Sequence, residues 1–274
     1  MFRTFCELTM TELSEQFLRL KQSQEKALIP FFTCGFPSVG VFKDLIKVAA
    51  DSGADAIEIG IPFSDPLADG PSIQYSSNLA LGKGINLQKS LEMISSLREQ
   101  ISLPLIILTY ANPVFQYGLA RFIRDAKQAE VSGLIVADLV IEEANQIEKM
   151  CRFHGLNLIY LAAPTTNGNR LKAIVQRSKG FIYLVSATGV TGARREVPRS
   201  LGAKINEIKR FTDKPVCVGF GISNPLQAKT IARLADGIIV GSALVDLIRK
   251  SKNQAQMLKK VSGFLISLKK GMQS

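Results

Sequence analysis

The chain has no tryptophan and only one histidine, His154, among its 274 residues. A lone histidine without ligand spacing leaves no zinc site to assemble, which argues against a zinc-dependent aldolase and predicts no metal in this chain. Cysteine is sparse and scattered: Cys6, Cys34, Cys151 and Cys217 form no C-x-x-C pair. That usage predicts a reduced, cytoplasmic setting rather than a disulfide framework. No apolar run reaches the roughly 18 residues of a membrane-spanning helix, and the N-terminus lacks the basic-then-apolar order of a signal peptide. A G-x-G-x-x-G fingerprint is missing, so dinucleotide binding has little support. No lysine ends a strand-like run, which excludes the usual arrangement of a Schiff-base aldolase.

Charge is unevenly spread. The formal net charge is +11. Residues 1–193 hold 18 basic and 18 acidic residues, whereas residues 247–274 hold seven basic and no acidic ones. Residues 194–214 add a second basic segment with a net charge of +4. A nucleic-acid partner would need a patterned basic surface with aromatic interleaving. The tail offers Arg249, Lys250, Lys252, Lys259, Lys260, Lys269 and Lys270 with Phe264 alone, which reads instead as the solvated face of a last helix. Arg194 and Arg195 are placed to steer an anionic substrate.

Eight short apolar runs are present, most of them bounded by Gly, Pro or Asp: 28–35, 55–60, 104–110, 133–138, 156–163, 180–186, 215–221 and 236–242. Segments with helical spacing lie between them, at 41–53, 87–100, 119–133, 141–154, 169–178, 200–211 and 224–235. Continuously apolar strands alternating with amphipathic helices imply a parallel sheet covered on both faces. Eight units point to an α/β chain folded as a (β/α)8 TIM barrel in one domain over 1–274; a doubly wound open sheet is the alternative. An extra helix is expected at 10–23 within an N-terminal extension (1–27), capped by Thr9 or Thr11, and a basic helix or tail at 247–274. Two long loops are expected, from Ile61 to about Asn86 after the second strand and from Ala187 to about Arg199 after the sixth. Both would project from the C-terminal face, where barrel enzymes carry their sites.

The second run, DAIEIG, carries the sharpest chemical signal. Strand alternation puts Ile57 and Ile59 on one face and Ala56 and Glu58 on the other. With the isoleucines against the helices, Glu58 faces the barrel interior. No strand offers it a cation, so its pKa should rise and its role should be proton transfer. The next stretch, IPFSDPLADGPSIQ, supplies Asp65, which reads equally as turn chemistry, and Asp69, which can reach back over the barrel mouth. Three glycine clusters at strand ends offer backbone N–H groups for a phosphate: Gly189–Gly192, Gly219–Gly221 and Gly241 with Ser242.

The run IEIGIPFSDPLADGPSIQ (57–74) resembles the signature of the tryptophan synthase alpha chain family. PFFTCGFP (30–37), LTYANPVF (108–115), GLIVADL (133–139), APTT (163–166), YLVSATGVTG (183–192), GFGIS (219–223) and IIVGSALV (238–245) extend the resemblance over nearly the whole chain. It implies a lyase that splits indole-3-glycerol phosphate reversibly into indole and glyceraldehyde 3-phosphate. No metal or Schiff base is expected in that step. It also implies a beta-chain partner holding pyridoxal phosphate, an α2β2 assembly and transfer of indole between subunits. By resemblance, Glu58 is the acid–base residue and Asp69 accepts the indole N–H. Thr191 clamps Asp69, and Gly192, Gly221, Gly241 and Ser242 hold the phosphate. Phe31, Tyr110, Ile135, Tyr183 and Phe220 wall the pocket. Phe36, Val140 and Ala187 depart from the pattern common in the family. The alternative is a catalytically silent partner that only activates the beta chain, for which loss of a carboxylate or a phosphate glycine would be expected.

Overall fold

The computed structural model describes residues 11–185, 199–219 and 221–273. All eight apolar runs form parallel strands: β1 (Ala27–Thr33), β2 (Ile57–Gly60), β3 (Leu105–Thr109), β4 (Gly133–Val136), β5 (Asn157–Leu158) and β6 (Leu161–Ala162), β7 (Ile182–Val185), β8 (Val216–Gly219) and β9 (Gly237–Val240). β5 and β6 are two halves of the fifth barrel strand. The hydrogen-bonded order runs β5-β4-β3-β2-β1-β9-β8-β7-β6, so the two ends of the sheet meet at Ile159 and Tyr160. Ile159 N–H donates to the Leu134 carbonyl at 2.9 Å, and Tyr183 N–H donates to the Tyr160 carbonyl at 3.3 Å. These bonds carry the ladder through the break. At the break, Tyr160 N–H donates to Ser178 Oγ at 3.1 Å instead of to a neighbouring strand.

The helices are α1 (Glu12–Gln22), α2 (Val39–Asp51), α3 (Pro71–Gly82), α4 (Leu87–Arg98), α5 (Ala111–Tyr117), α6 (Leu119–Gln128), α7 (Asn145–His154), α8 (Gly168–Arg177), α9 (Arg199–Lys209), α10 (Pro225–Ala232), α11 (Ser242–Arg249) and α12 (Gln254–Gln273). Most fall in the intervals that periodicity marks, while α3, α5 and most of α11 form where it marks no helix. α2 buries Phe42, Leu45, Ile46 and Ala49, the face its spacing predicts. Thr11, not Thr9, caps α1, its Oγ1 accepting from Ser14 N–H at 3.3 Å.

The long connection after β2 is not the loop the sequence suggests, because its second half folds as α3. That helix buries Ser76, Ser77 and Ala80 beside Ile73, a face with too few apolar residues to register as periodic. Ser76 is satisfied internally: its Oγ lies 2.6 Å from Thr33 Oγ1 and donates to the Ile73 carbonyl at 2.8 Å. The other long connection, 187–199, lies almost wholly outside the described residues.

The apolar interior divides in two. The outer layer, between strands and helices, contains Ile57 and Ile59. The inner cluster fills the barrel with Ile29, Ile106, Ile135, Ile159, Phe181, Cys217 and Ile239, and α1 adds Leu13, Phe17 and Leu20 beneath them. Burying these side chains contributes about 1.5–3 kcal/mol each before conformational entropy is counted. The basic tail corrects the charge reading in one respect. α12 buries Met257, Val261, Leu265 and Leu268, and Lys269 lies on its inner side. Its Nζ bonds Asp55 Oδ2 at 2.7 Å and Glu25 at 3.4 Å. This lysine ties the last helix to the barrel and is not part of the solvated face.

Candidate active site

At the C-terminal ends of the strands lies a cavity of about 550 Å³ whose lining includes Phe31, Glu58, Asp69, Tyr183, Gly241 and Ser242. β2 delivers Glu58 to its floor. In the parallel register Glu58 stands beside Phe31 of β1 and Ile106 of β3, so all three point into the barrel. The carboxyl is 1% exposed, and its Oε2 has no hydrogen-bond partner among the described residues. Burial, reinforced by the nearby negative charge of Asp69, pushes its pKa up to about 8. A carboxyl in this setting holds its proton at neutral pH.

Asp69 hangs from the β2–α3 connection. Its backbone N–H donates to the Pro66 carbonyl at 3.0 Å, and Gln74 Nε2 donates to its own carbonyl at 2.8 Å. Burial raises its carboxyl to about 6, against the lowering effect of a hydrogen bond from Tyr110. The Tyr110 hydroxyl also accepts from Ala68 N–H at 3.3 Å, so one tyrosine holds two successive residues of the connection. The two carboxyls are thereby driven to different protonation states at neutral pH, one acid and one anion. Asp65 is exposed, and its carbonyl accepts from Leu67 N–H in a turn.

Two inward-facing glycines make room for the aromatic walls. A Cβ at Gly60 would collide with the Phe31 ring, and one at Gly219 would lie 2.7 Å from the Tyr183 ring. Tyr183 is 8% exposed, and burial beside Glu58 and Asp69 keeps its hydroxyl protonated. On the far side of the mouth α11 begins at Ser242, directly after Gly241, and points its N-terminus at the cavity. The unpaired N–H groups of a helix start and the helix dipole favour an anion. Gly221, at φ +52°, also lines the cavity.

Among the residues singled out from sequence, Ile135 is fully buried in the inner cluster and does not line the cavity. Tyr110 acts through Asp69 rather than as a wall. Thr191, Gly192 and Phe220 lie outside the described residues, as do Arg194, Arg195 and Ala187. The cavity also takes in Leu108, Val136, Thr166 and Arg170. Leu108 and Val136 end barrel strands, a position that already marks mouth residues. Arg170, on α8, carried no sequence signal.

This fold and mouth define a (β/α)8-barrel enzyme with a carboxyl pair and a helix start lining one cavity. Comparison with known proteins is specific about which one. The family profile described as "Tryptophan synthase alpha chain" matches residues 17–273. The tryptophan synthase alpha chain of Citrifermentans bemidjiense is 45% identical over 263 residues, covering 96% of this chain and 98% of the relative. That of Caldanaerobacter subterraneus is 43% identical over 260 residues, covering 95% and 99%. The crystal structure of the alpha subunit from Legionella pneumophila superimposes with a TM-score of 0.88 at 34% identity, covering 97% of this chain and 99% of that one. A Mycobacterium tuberculosis tryptophan synthase structure gives 0.88 at 34%, covering 96% and 99%. The chain belongs to the tryptophan synthase alpha chain family. It is an enzyme subunit of tryptophan biosynthesis, acting in the cleavage of indole-3-glycerol phosphate, and the family name implies a beta-chain partner.

Proposed function

We propose that Glu58 and Asp69 carry the retro-aldol cleavage of indole-3-glycerol phosphate as an acid and an anion held apart by about two pK units. Protonated Glu58 donates to the indole carbon C3 that bears the glycerol chain. Positive charge then develops on the indole nitrogen, and its N–H donates to the Asp69 carboxylate. The Glu58 carboxylate takes the proton of the glycerol C3′ hydroxyl. The carbon–carbon bond breaks, its electron pair returns to the ring, and the oxygen becomes the aldehyde. Glu58 ends protonated, as it began. One group thus acts in both directions of proton transfer, as general acid–base catalysis requires of a residue poised near the working pH.

The phosphate is taken by the start of α11 at Gly241 and Ser242, with Gly221 beside it. Phe31 and Tyr183 flank the substrate. The reading rests above all on the buried Glu58 carboxyl of β2, whose Oε2 has no partner among the described residues. The chain uses no cofactor of its own. Pyridoxal phosphate belongs to a beta chain with which it forms an α2β2 complex in the cytoplasm. Leu67 (94% exposed), Phe115 (58%) and Val140 (39%) form an apolar rim on the connections after β2, β3 and β4, and they support a partner docking over the mouth.

The deciding experiment measures indole release from indole-3-glycerol phosphate with and without the cognate beta chain, for wild type, Glu58→Gln and Asp69→Asn. Both variants should fold and release no indole above background. Wild-type turnover in either variant overturns the assignment. Activation of a beta chain without cleavage by wild type would instead identify a silent partner.

A further inference from the structure

The two helices that start at the mouth are fastened to each other close to their working ends. α3 begins two residues after Asp69. α11 begins at Ser242, where the phosphate is placed. Ser72, the second residue of α3, donates its Oγ hydrogen to Asp246 Oδ1 of α11 at 2.8 Å, and the bond is partly buried. One turn farther along both helices, the Arg249 guanidinium lies 4.5 Å from the centroid of the Tyr75 ring. Tyr75 in turn meets Phe36 edge-on at 6.2 Å. α3 is otherwise held by Ser76 on Thr33, and Gln74 bonds the Asp69 carbonyl. Asp69 therefore sits at the end of a short helix whose position is fixed from both sides, by β1 and by α11.

We propose that Ser72 and Asp246 are positioning residues that transmit the seating of the substrate phosphate on α11 to the Asp69 carboxylate. The proposal rests on the assignment of Asp69 and of the α11 start given above. An anion drawn to the backbone N–H groups at the start of α11 orders its first turn, and Asp246 lies directly below that turn. Asp246 holds Ser72, and Ser72 sets the first turn of α3 and the residue three positions before it. Neither side chain is assigned a contact with substrate. They convert binding of the remote phosphate into placement of the group that must meet the indole nitrogen, where a small displacement is costly in rate. Arg249 on Tyr75 keeps the two helices in register with each other.

Cutting the substrate in two tests this directly. Indole release from dephosphorylated indole-3-glycerol is measured with saturating beta chain, with and without inorganic phosphite as the detached anion. Wild type should be activated by phosphite. The activation ratio should fall about 10- to 100-fold in Ser72→Ala and in Asp246→Leu. Asp246→Asn keeps a carbonyl oxygen for the Ser72 hydroxyl and should retain the ratio. With the intact substrate, kcat should fall while KM changes little, and the Ser72→Ala/Asp246→Leu double variant should be no worse than the worse single one. Thermal melts confirm that each variant is folded. An unchanged activation ratio, an effect confined to KM, or additive losses overturns the coupling. So does a wild type that cleaves the intact ester but ignores phosphite. A wild type that cleaves neither substrate overturns the function itself, which separates the two failures.

Discussion

Asp55 and Glu58 stand three residues apart, one just before β2 and one within it, and both are buried. Asp55, just below β2, is paired through its Oδ2. Its Oδ2 accepts from Leu28 N–H at 2.7 Å and from Lys269 at 2.7 Å, and Lys269 opposes the upward push of burial on its pKa. Glu58, at the top, meets no cation among the described residues, and its nearest charge is another carboxyl. The difference shows how one barrel assigns its acids. The lower end spends a carboxylate on holding β1 and α12 together. The upper end keeps one unpaired and accepts a less stable fold to do so, as reactive sites commonly require.

The largest expected effect breaks the upper half of this contrast. Glu58→Gln should lower indole release by about a thousandfold or more, the scale of a lost acid–base group. The same change should stabilise the protein. The folded carboxyl keeps its proton to about pH 8, whereas an unfolded one releases it near 4.5. Wild-type stability therefore falls as pH rises between those values, and Glu58→Gln escapes the fall. Calorimetry should show a melting-temperature gain that is small near pH 5 and levels off above pH 8. A variant no more stable than wild type at pH 8.5 would remove the contrast.

Lys269→Met breaks the lower half. It leaves Asp55 buried without its cation and should cost about 2–3 kcal/mol by denaturant unfolding, with kcat of the folded protein nearly unchanged. A loss of kcat at full stability would mean that the two ends are not separate in role. The pH profile of kcat/KM sharpens the comparison next. It should be bell-shaped, with an acid limb near 6 from Asp69 and an alkaline limb near 8 from Glu58, both belonging to the coupled pair. The smallest effect is expected from Tyr110→Phe. Removing the hydroxyl that lowers the Asp69 pKa should move the acid limb upward and narrow the bell, leaving the alkaline limb in place.

Strand positions and the inward aim of Glu58 could be read from sequence because alternation is a local rule. A β-branched residue on either side of a carboxyl leaves it one direction to face. α3 could not, since its buried side is made of serines whose burial depends on Thr33, 43 residues away from Ser76. The split fifth strand was equally hidden: LNLIYLAA reads as one run, and the Ser178 hydroxyl that meets it at the break is distant in sequence. Lys269 looked like surface because the carboxylates it meets belong to the other end of the chain. Such pairings are long-range facts that composition and periodicity do not encode. Tyr110 was visible as an aromatic at a strand end, but its hold on Asp69 is another long-range contact that only the fold creates.

The plug that α1 forms under the barrel has a consequence for isotopes. Among the described residues, Leu13, Phe17 and Leu20 seal the lower end, so Glu58 faces solvent through the mouth, where the substrate is proposed to bind. On the proposed mechanism, a bound substrate receives the hydrogen that Glu58 carried when the substrate filled the mouth. In a rapid jump from light to heavy water, the first indole released should bear protium at C3 and later ones deuterium. The enzyme keeps, for one turnover, a record of the water it last met.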